Sequence, residues 1–169
     1  MEREKQITYV QQAKQGDAHA FAGLYQEIYR EMYRFALYTL KNSHDAEDAV
    51  SDAVADAWAQ IGQLKKEDSF KSWIFAILAN KCRRRMKQYV NAACELPGDL
   101  CAAGGDTEEE MDVRSAFSKL KDEERLILSL SIFGGYSSRE IGEALKISGN
   151  TVRSRQKRAL EKMEAYLAC

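Results

Sequence analysis

The chain has 169 residues, of which 45% are hydrophobic and 30% are charged, and its formal net charge is −1. It contains one proline and ten glycines, and this scarcity of helix-breaking residues favours a mostly helical protein. No stretch approaches the ~20 consecutive apolar residues of a transmembrane helix. The charged N-terminus leads into no apolar segment typical of a secretory signal, so we expect a cytoplasmic protein.

Charge is unevenly distributed along the chain. Residues 91–112 carry seven carboxylates and no lysine or arginine, and they include the only proline. A segment of this composition cannot bury enough apolar surface to fold by itself. It predicts a flexible acidic linker over 89–112, which would reach roughly 80 Å when extended. The linker would join two small helical domains, at 1–88 and 113–169.

Two amphipathic helices are predicted in the first domain. Asp17 is placed to cap a helix whose apolar residues recur every three or four positions from Phe21 to Leu40. A second helix is predicted from Ser43. Its apolar face comprises Val50, Val54, Ala57, Trp58 and Ile61. Its opposite face carries an acidic stripe of Asp45, Asp48, Asp52 and Asp56.

The acidic stripe has three possible interpretations. No lysine or arginine occurs over 42–64, so the stripe has no basic neighbour on its own helix. It is therefore either a solvated face or a docking surface for a basic partner. The spacing alone also allows a carboxylate metal site.

A loop at 62–69 precedes a third helix with two distinct faces. Its buried face is predicted to comprise Phe70, Trp73, Ile74, Ile77 and Leu78. A neighbouring face without carboxylates comprises Ala76, Asn80, Arg83, Arg84 and Lys87. A basic helix flanked by aromatic residues is typical of a nucleic-acid contact, although a solvated basic face remains the alternative.

The second domain contains the pattern of a helix-turn-helix. Asp122 is placed to cap a first helix, which Gly134 and Gly135 would end. Ser137 and Glu140 form a capping box for the next helix, and Ser148 is placed to cap the last one.

Within this pattern, Gly142 is small enough to let two helices cross closely, and Val152 would fill their junction. Lys146 stands where such turns commonly carry glycine, so we expect a left-handed backbone there. The last helix then places arginines and hydroxyls near its N-terminus, the part that enters the major groove in such motifs.

Cysteine and histidine give no sign of a metal or cofactor site. The four cysteines, Cys82, Cys94, Cys101 and Cys169, form no C-x-x-C pair, and there are only two histidines. In a cytoplasmic protein the four cysteines are expected to be reduced thiols. A zinc site with the usual ligand spacing is therefore not predicted. We predict no cofactor and no catalytic residue either, which agrees with the resemblance described next.

The order of these elements resembles the extracytoplasmic-function (ECF) group of bacterial sigma factors, in the sigma-70 family. SHDAEDAVSDAVADAWAQI resembles the family's region 2.2, and FKSWIFAILANKCRRRMK resembles regions 2.3 and 2.4. The segment from LKDEER to EKM resembles region 4, and within it GNTVRSRQKRA is the most specific part. Together the matching segments cover nearly all of both predicted domains.

The resemblance implies a function and a set of site residues. The protein would bind core RNA polymerase and direct promoter-specific initiation. Contacts with the β′ clamp would come from Asp48, Ser51, Asp52 and Asp56. The downstream (−10) promoter element would be melted and bound by Lys65, Lys66, Lys71, Trp73, Asn80, Arg83, Arg84 and Lys87. The upstream (−35) element would be bound by Ser138, Arg139, Thr151, Arg153, Ser154, Arg155, Lys157 and Arg158.

The same resemblance implies further partners and roles. Lys65, Lys66 and Lys71 would hold backbone phosphates, and a base flipped out of the DNA stack would sit in the 62–69 loop. Trp73 is either a DNA contact or part of the core. The β flap of polymerase and an anti-sigma factor would be further partners, and the protein would act as a monomer without membrane insertion. The alternatives are a helix-turn-helix regulator that works without polymerase, and a metal-dependent enzyme built on the acidic stripe.

Overall fold

The computed structural model describes residues 1–92 and 107–168, with side chains over 1–88 and 107–168. All regular structure in these ranges is helical, which confirms the all-α prediction. The helices are α1 (Arg3–Lys14), α2 (Ala18–Leu40), α3 (Ser43–Gln60), α4 (Phe70–Ala92), α5 (Glu108–Ser118), α6 (Asp122–Ile132), α7 (Ser138–Leu145) and α8 (Gly149–Leu167). Two short 3₁₀ turns, Ile61–Gln63 and Glu67–Ser69, form loop 61–69 between α3 and α4.

The predicted linker is partly helical at both ends. Residues 89–92 continue α4, and residues 108–112 belong to α5. Thr107 caps α5 through a capping box with Glu110, which explains why this acidic stretch starts a helix: carboxylates are stabilising in a first turn. The rest of the predicted linker, with Cys94 and Cys101, lies outside the described residues.

The first domain packs α1, α3 and α4 around α2. The Asp17 side chain accepts hydrogen bonds from the backbone of His19 and Ala20, so the predicted cap is confirmed. The α2 face centred on Met32 and Phe35 is fully buried. The Phe35 ring meets the Phe75 ring of α4 edge to face, at 5.7 Å between centroids. This core holds α4 in place, with its basic face turned outward.

Helix α3 contacts its neighbours mainly through small residues. Ala46, Ala49, Ala53 and Ala57 are completely buried, which lets the backbone of α3 approach α2 and α4 closely. Trp58, predicted on the same apolar face, lies at the margin of that face. Its side chain is 38% exposed, and its ring packs 5.2 Å from the Phe21 ring. An interface built from alanines has no room for an indole, which therefore lies at the margin.

Helix α1 was not predicted from the sequence. It packs on α2 through Val10 and Ala13, which are almost fully buried. The crossing is close at Gly23, where an added Cβ would lie 2.9 Å from the Tyr9 ring. Only a few apolar residues face the core, so the periodicity of this segment is too weak to stand out.

The second domain is the predicted helix-turn-helix with two corrections. The Ser137 and Ser148 side chains accept hydrogen bonds from the backbone of Glu140 and Thr151, so both caps are confirmed. The predicted capping box is only half formed, because the Glu140 carboxylate accepts from the Ser137 hydroxyl and not from its backbone N–H. Asp122, however, is the first residue of α6 and not its cap, which is Lys121. The Asp122 carboxylate instead accepts a hydrogen bond from Arg125.

The turn of the motif has the predicted geometry. Lys146 is left-handed, with φ of 59° and ψ of 45°. At Gly142 an added Cβ would lie 2.7 Å from the Ile147 carbonyl oxygen, so only glycine allows this crossing. Val152 is completely buried at the junction.

The two domains pack against each other through hydrophobic residues of both, in one large cluster and a smaller one next to it. Tyr38 at the end of α2 packs 5.2 Å from the ring centroids of both Phe117 and Phe133. Polar contacts flank these clusters: the Thr39 hydroxyl donates to Ser129 Oγ at 3.0 Å, and the Tyr136 hydroxyl donates to the Ser72 carbonyl. Among the described residues, no helix is long and apolar enough to cross a membrane.

Replacing Gly142 with alanine is expected to destabilise the second domain. The new Cβ would collide with a backbone oxygen, which cannot rotate away, so we expect a loss of about 1–3 kcal/mol. Urea unfolding followed by circular dichroism measures it. Gly149→Ala is the matched control, since its Cβ would approach nothing closer than 3.8 Å. Equal effects of the two substitutions would contradict this explanation.

Candidate nucleic-acid interface

The basic face of α4 lines an open pocket against the helix-turn-helix. Its volume is about 470 Å³. The lining residues are Asn80, Arg83, Arg84, Lys87, Ala144 and Lys146. Four side chains predicted to contact the −10 element thus lie side by side, and Lys146 from the turn adds a cation that was not predicted. Among the residues that the structure describes, none of the lining side chains is a carboxylate, so these side chains favour an anion such as a DNA phosphate.

Arg83 is partly engaged by the second domain. Its Nη1 donates to the Leu145 carbonyl oxygen at 3.1 Å, and its Nε lies 3.4 Å from Glu123 Oε1. Leu145 is the last residue of α7, and a cation is stabilising near the C-terminal carbonyls of a helix. The turn of the helix-turn-helix therefore covers one end of the α4 basic face.

The other residues predicted to contact the −10 element differ in whether their side chains are exposed, ion-paired or partly buried. Lys65 and Lys66 are exposed on loop 61–69. Lys71 pairs with Glu31 at 2.6 Å between Nζ and Oε2. Trp73 is half-buried and packs 6.1 Å from the Phe70 ring. The two loop lysines are thus accessible to solvent, whereas Trp73 contributes to the core.

The start of α8 presents a basic outer surface. Arg153, Ser154, Lys157 and Arg158 are all exposed. Arg153 is held by a hydrogen bond to the Asn150 side chain, which orients its guanidinium at the first turn of the helix. These four residues lie on the part of the motif that enters a major groove.

Other predicted −35 residues make contacts within the protein. The Ser138 hydroxyl donates to Gln156 Oε1 at 3.4 Å, and the Thr151 and Ser148 hydroxyls lie 2.7 Å apart. Arg155 turns toward α6, where its Nη1 lies 3.7 Å from Glu123 Oε2. Arg139 is exposed and pairs with Glu143 one turn further on. Ser138, Thr151 and Arg155 therefore help to orient the motif.

The acidic stripe has no basic neighbour on its own helix, as its composition shows, but it has basic partners on α4. Arg85 of α4 lies 3.1 Å from Asp52 and 3.7 Å from Asp45, and Lys81 lies 2.6 Å from Asp56. These ion pairs connect two helices, so the composition of α3 alone could not reveal them. Asp48 and its neighbour Ser51 remain exposed on the outer face of α3.

Sequence reasoning missed the importance of Arg125. This side chain is only 2% exposed. Its Nε donates to the Thr39 carbonyl oxygen at 3.0 Å, and its Nη1 donates to the Leu120 carbonyl oxygen at 2.5 Å. Burial, followed by the charge of Arg125, lowers the pKa of the nearby Lys41 from its ordinary value. No local pattern signals this role, because Thr39 is 86 positions away.

Comparisons with known proteins identify both domains. Residues 24–90 match the model for sigma-70 region 2, and residues 116–165 match that for sigma-70 region 4. The ECF RNA polymerase sigma factor SigM of Mycobacterium tuberculosis is 29% identical over 155 residues, covering 90% of this chain and 79% of SigM. The RNA polymerase sigma factor CnrH of Cupriavidus metallidurans is 30% identical over 141 residues, covering 73% of each chain.

A solved structure has the same fold. In the co-crystal structure of sigma factor RpoE with the anti-sigma factor NepR from Bartonella quintana, RpoE is 21% identical to this chain. The TM-score is 0.74, covering 88% of this chain and 96% of RpoE.

Regions 2 and 4 in this order, each bearing a basic surface, define a sigma-type transcription initiation factor. The chain belongs to the sigma-70 family, as an RNA polymerase sigma factor of the ECF group. Such proteins direct promoter-specific initiation, so a helix-turn-helix regulator that works without polymerase is not favoured.

Replacing Lys146 with glycine is expected to stabilise the protein by about 0.5–1 kcal/mol, since glycine adopts the left-handed conformation without steric cost. Thermal unfolding measures the change. Lys41→Gly is the matched comparison, because Lys41 is also left-handed, with φ of 62°. Its Nζ donates to the Ser118 carbonyl oxygen at 3.1 Å, and losing that bond should cancel the gain. Equal stabilisation by both substitutions would contradict this account.

Proposed function

We propose that this sigma factor binds core polymerase through the exposed face of α3. Asp48 and Ser51 would contact the β′ clamp directly. Asp52 and Asp56 would contribute at the edge of the same surface, where they also fix α3 to α4 through Arg85 and Lys81. Region 4 would dock on the β flap. Polymerase would supply all the chemistry, and this chain would act in the cytoplasm as a monomer without a cofactor.

Region 2 would bind the −10 element and region 4 the −35 element. The observation that carries this proposal is the pair of basic surfaces on separate domains, one on α4 with loop 61–69 and the other at the start of α8. Asn80, Arg83, Arg84 and Lys87 would follow the melted strand. Arg153, Ser154, Lys157 and Arg158 would enter the major groove at the upstream element.

Binding both elements at once would require the domains to separate. Elements centred about 25 base pairs apart lie roughly 85 Å apart on B-form DNA, at about 3.4 Å per base pair. In the present arrangement Arg83 of region 2 touches Leu145 of region 4 at 3.1 Å. One molecule in this closed arrangement cannot reach two such distant elements. Binding to core polymerase would therefore select an open arrangement.

An anti-sigma factor is the expected inhibitor. The RpoE structure was determined in complex with the anti-sigma factor NepR, and this chain shares its fold. A protein that covers the exposed face of α3 would prevent docking on polymerase. The same partner could hold the domains closed and leave the DNA-binding surfaces unable to act together.

Charge reversal at Asp48 should strongly reduce promoter-specific transcription. We expect Asp48→Lys to weaken binding to core polymerase at least tenfold, because it places a cation against a basic partner surface. Run-off transcription with purified core polymerase on genomic fragments of the source bacterium measures activity, and co-elution measures binding. Arg153→Ala/Arg158→Ala should retain core binding but lose transcripts.

Glu47→Lys is the matched control for the charge reversal at Asp48. Glu47 is exposed on the same helix, but one residue away and therefore about 100° around the helix axis. It should retain most of the activity. Wild-type protein that neither supports specific transcripts nor co-elutes with core polymerase would refute the proposed function. Equal loss in the two variants would refute only the assigned docking face.

A disulfide across the domain interface should block activity reversibly. The Thr39 and Ser129 hydroxyl oxygens are 3.0 Å apart, so cysteines at these positions are close enough to form a bond. Thr39→Cys/Ser129→Cys, with Cys94, Cys101 and Cys169 replaced by serine, should lose run-off activity when oxidised. Reduction should restore it, because the domains could separate again.

The serine-substituted background without the two new cysteines is the control, and oxidation should leave its activity unchanged. Mass spectrometry would establish that the bond has formed. Full activity of the cross-linked protein would show that separation of α2 from α6 is not required.

A further inference from the structure

Helix α1 lies outside the residues that match region 2, yet it contacts loop 61–69 directly. The family match begins at residue 24. Helix α1 packs against both 3₁₀ turns of the loop. Buried Val10 and Ala13 fix the helix to α2, so it offers a rigid support to the loop.

Two ion pairs connect the ends of α1 to adjacent residues of the loop. Arg3 Nη2 lies 2.7 Å from Asp68 Oδ2, and Lys14 Nζ lies 3.2 Å from Glu67 Oε1. Arg3 and Lys14 are about 16 Å apart along a helix, at about 1.5 Å per residue. Two neighbouring carboxylates are therefore held from opposite ends of one helix, which restrains the loop along the helix axis.

The pair formed by Lys14 is the stronger restraint. Its two side chains are only 22% and 31% exposed, whereas Arg3 is 78% exposed, and exposed pairs contribute little. A hydrogen bond with its own backbone N–H, and then the contact with Lys14, lower the pKa of Glu67 from its ordinary 4.5. The carboxylate is therefore charged at neutral pH, and the pair is lost only as the pH falls below that value.

The restrained segment directly follows the two exposed lysines of the loop. Lys65 and Lys66 precede Glu67, and the Lys66 carbonyl oxygen accepts a hydrogen bond from the backbone of Ser69 at 3.0 Å. Leu64 is buried on the other side. Any shift of Glu67 therefore moves the backbone that carries both lysines. A loop held in place before DNA binds loses less conformational freedom when it binds.

We propose that α1 sets the position of loop 61–69 for base-specific recognition of the melted −10 strand. Lys14 and Arg3 are the positioning residues. This proposal rests on the proposed function, in which the loop receives a base of that strand. In this role α1 acts through the loop and does not contact DNA. It should therefore affect the discrimination between bases more than the overall affinity.

The test measures discrimination by reconstituted holoenzyme. Its probes are labelled single strands taken from promoters that the run-off assay identifies, each paired with strands substituted at one −10 base. Fluorescence anisotropy gives the ratio of affinities for matched and substituted strands. Lys14→Glu should lower this ratio about fivefold or more at the base that contacts the loop, with core binding unchanged. The double variant Lys14→Glu/Glu67→Lys should recover at least half of the wild-type ratio.

Lys5→Glu is the matched control, because it makes the same change of charge on the same helix, where Lys5 lies over the Tyr9 ring and not against the loop. It should lower the affinity for all strands equally and leave the ratio unchanged. An unchanged affinity ratio in Lys14→Glu would refute the proposed role of α1. So would a double variant, Lys14→Glu/Glu67→Lys, that fails to restore the ratio. Wild-type holoenzyme that binds all strands equally would overturn −10 recognition by region 2 as well.

Discussion

The packing of regions 2 and 4 depends on one buried guanidinium. Arg125 donates to the Thr39 carbonyl oxygen at the end of α2 and also binds Leu120 and Asp122 within region 4. The last carbonyls of a helix have no partner within it, and a buried charge is tolerated only when it is fully hydrogen-bonded. The Thr39 carbonyl oxygen thus gains a donor and the Arg125 guanidinium gains an acceptor. This hydrogen bond fixes where the end of α2 packs against α6. The aromatic cluster around Tyr38 then fills the space beside it.

This interface brings a cation of region 4, Lys146, next to the basic face of α4. The domain packing places Leu145 against Arg83 and brings Lys146 into the pocket lined by Arg84 and Lys87. Clustered cations repel one another. Apolar contact between the domains and the hydrogen bonds at the end of α2 offset this repulsion. Under the proposed function, such a balance would suit a domain pair that separates when polymerase and DNA supply competing contacts. Arg83 would then take part both in DNA binding and in the closure of the domains.

Features determined by neighbouring residues were predictable. The caps at Asp17, Ser137 and Ser148 are confirmed, as are the close crossing at Gly142 and the left-handed Lys146. Each of these depends on the backbone within a few residues, so a short stretch of sequence contains all the relevant information. The cap at Asp122 was wrong because its carboxylate has a stronger partner in Arg125. The DNA- and polymerase-binding roles of individual residues stay predictions.

Periodicity, capping and motif spacing are local properties, so most of the helices, the order of the two domains and the family could be predicted from sequence alone. Which charges form ion pairs across helices depends on the packing of the helices and became visible only in the structure. It paired Asp45, Asp52 and Asp56 with α4 and left Asp48 exposed, and it turned Arg155 inward while Arg153 remained outside. It also revealed α1 and its contacts with loop 61–69. Ion pairs between distant segments depend on how helices pack, and no pattern within a single helix encodes that packing.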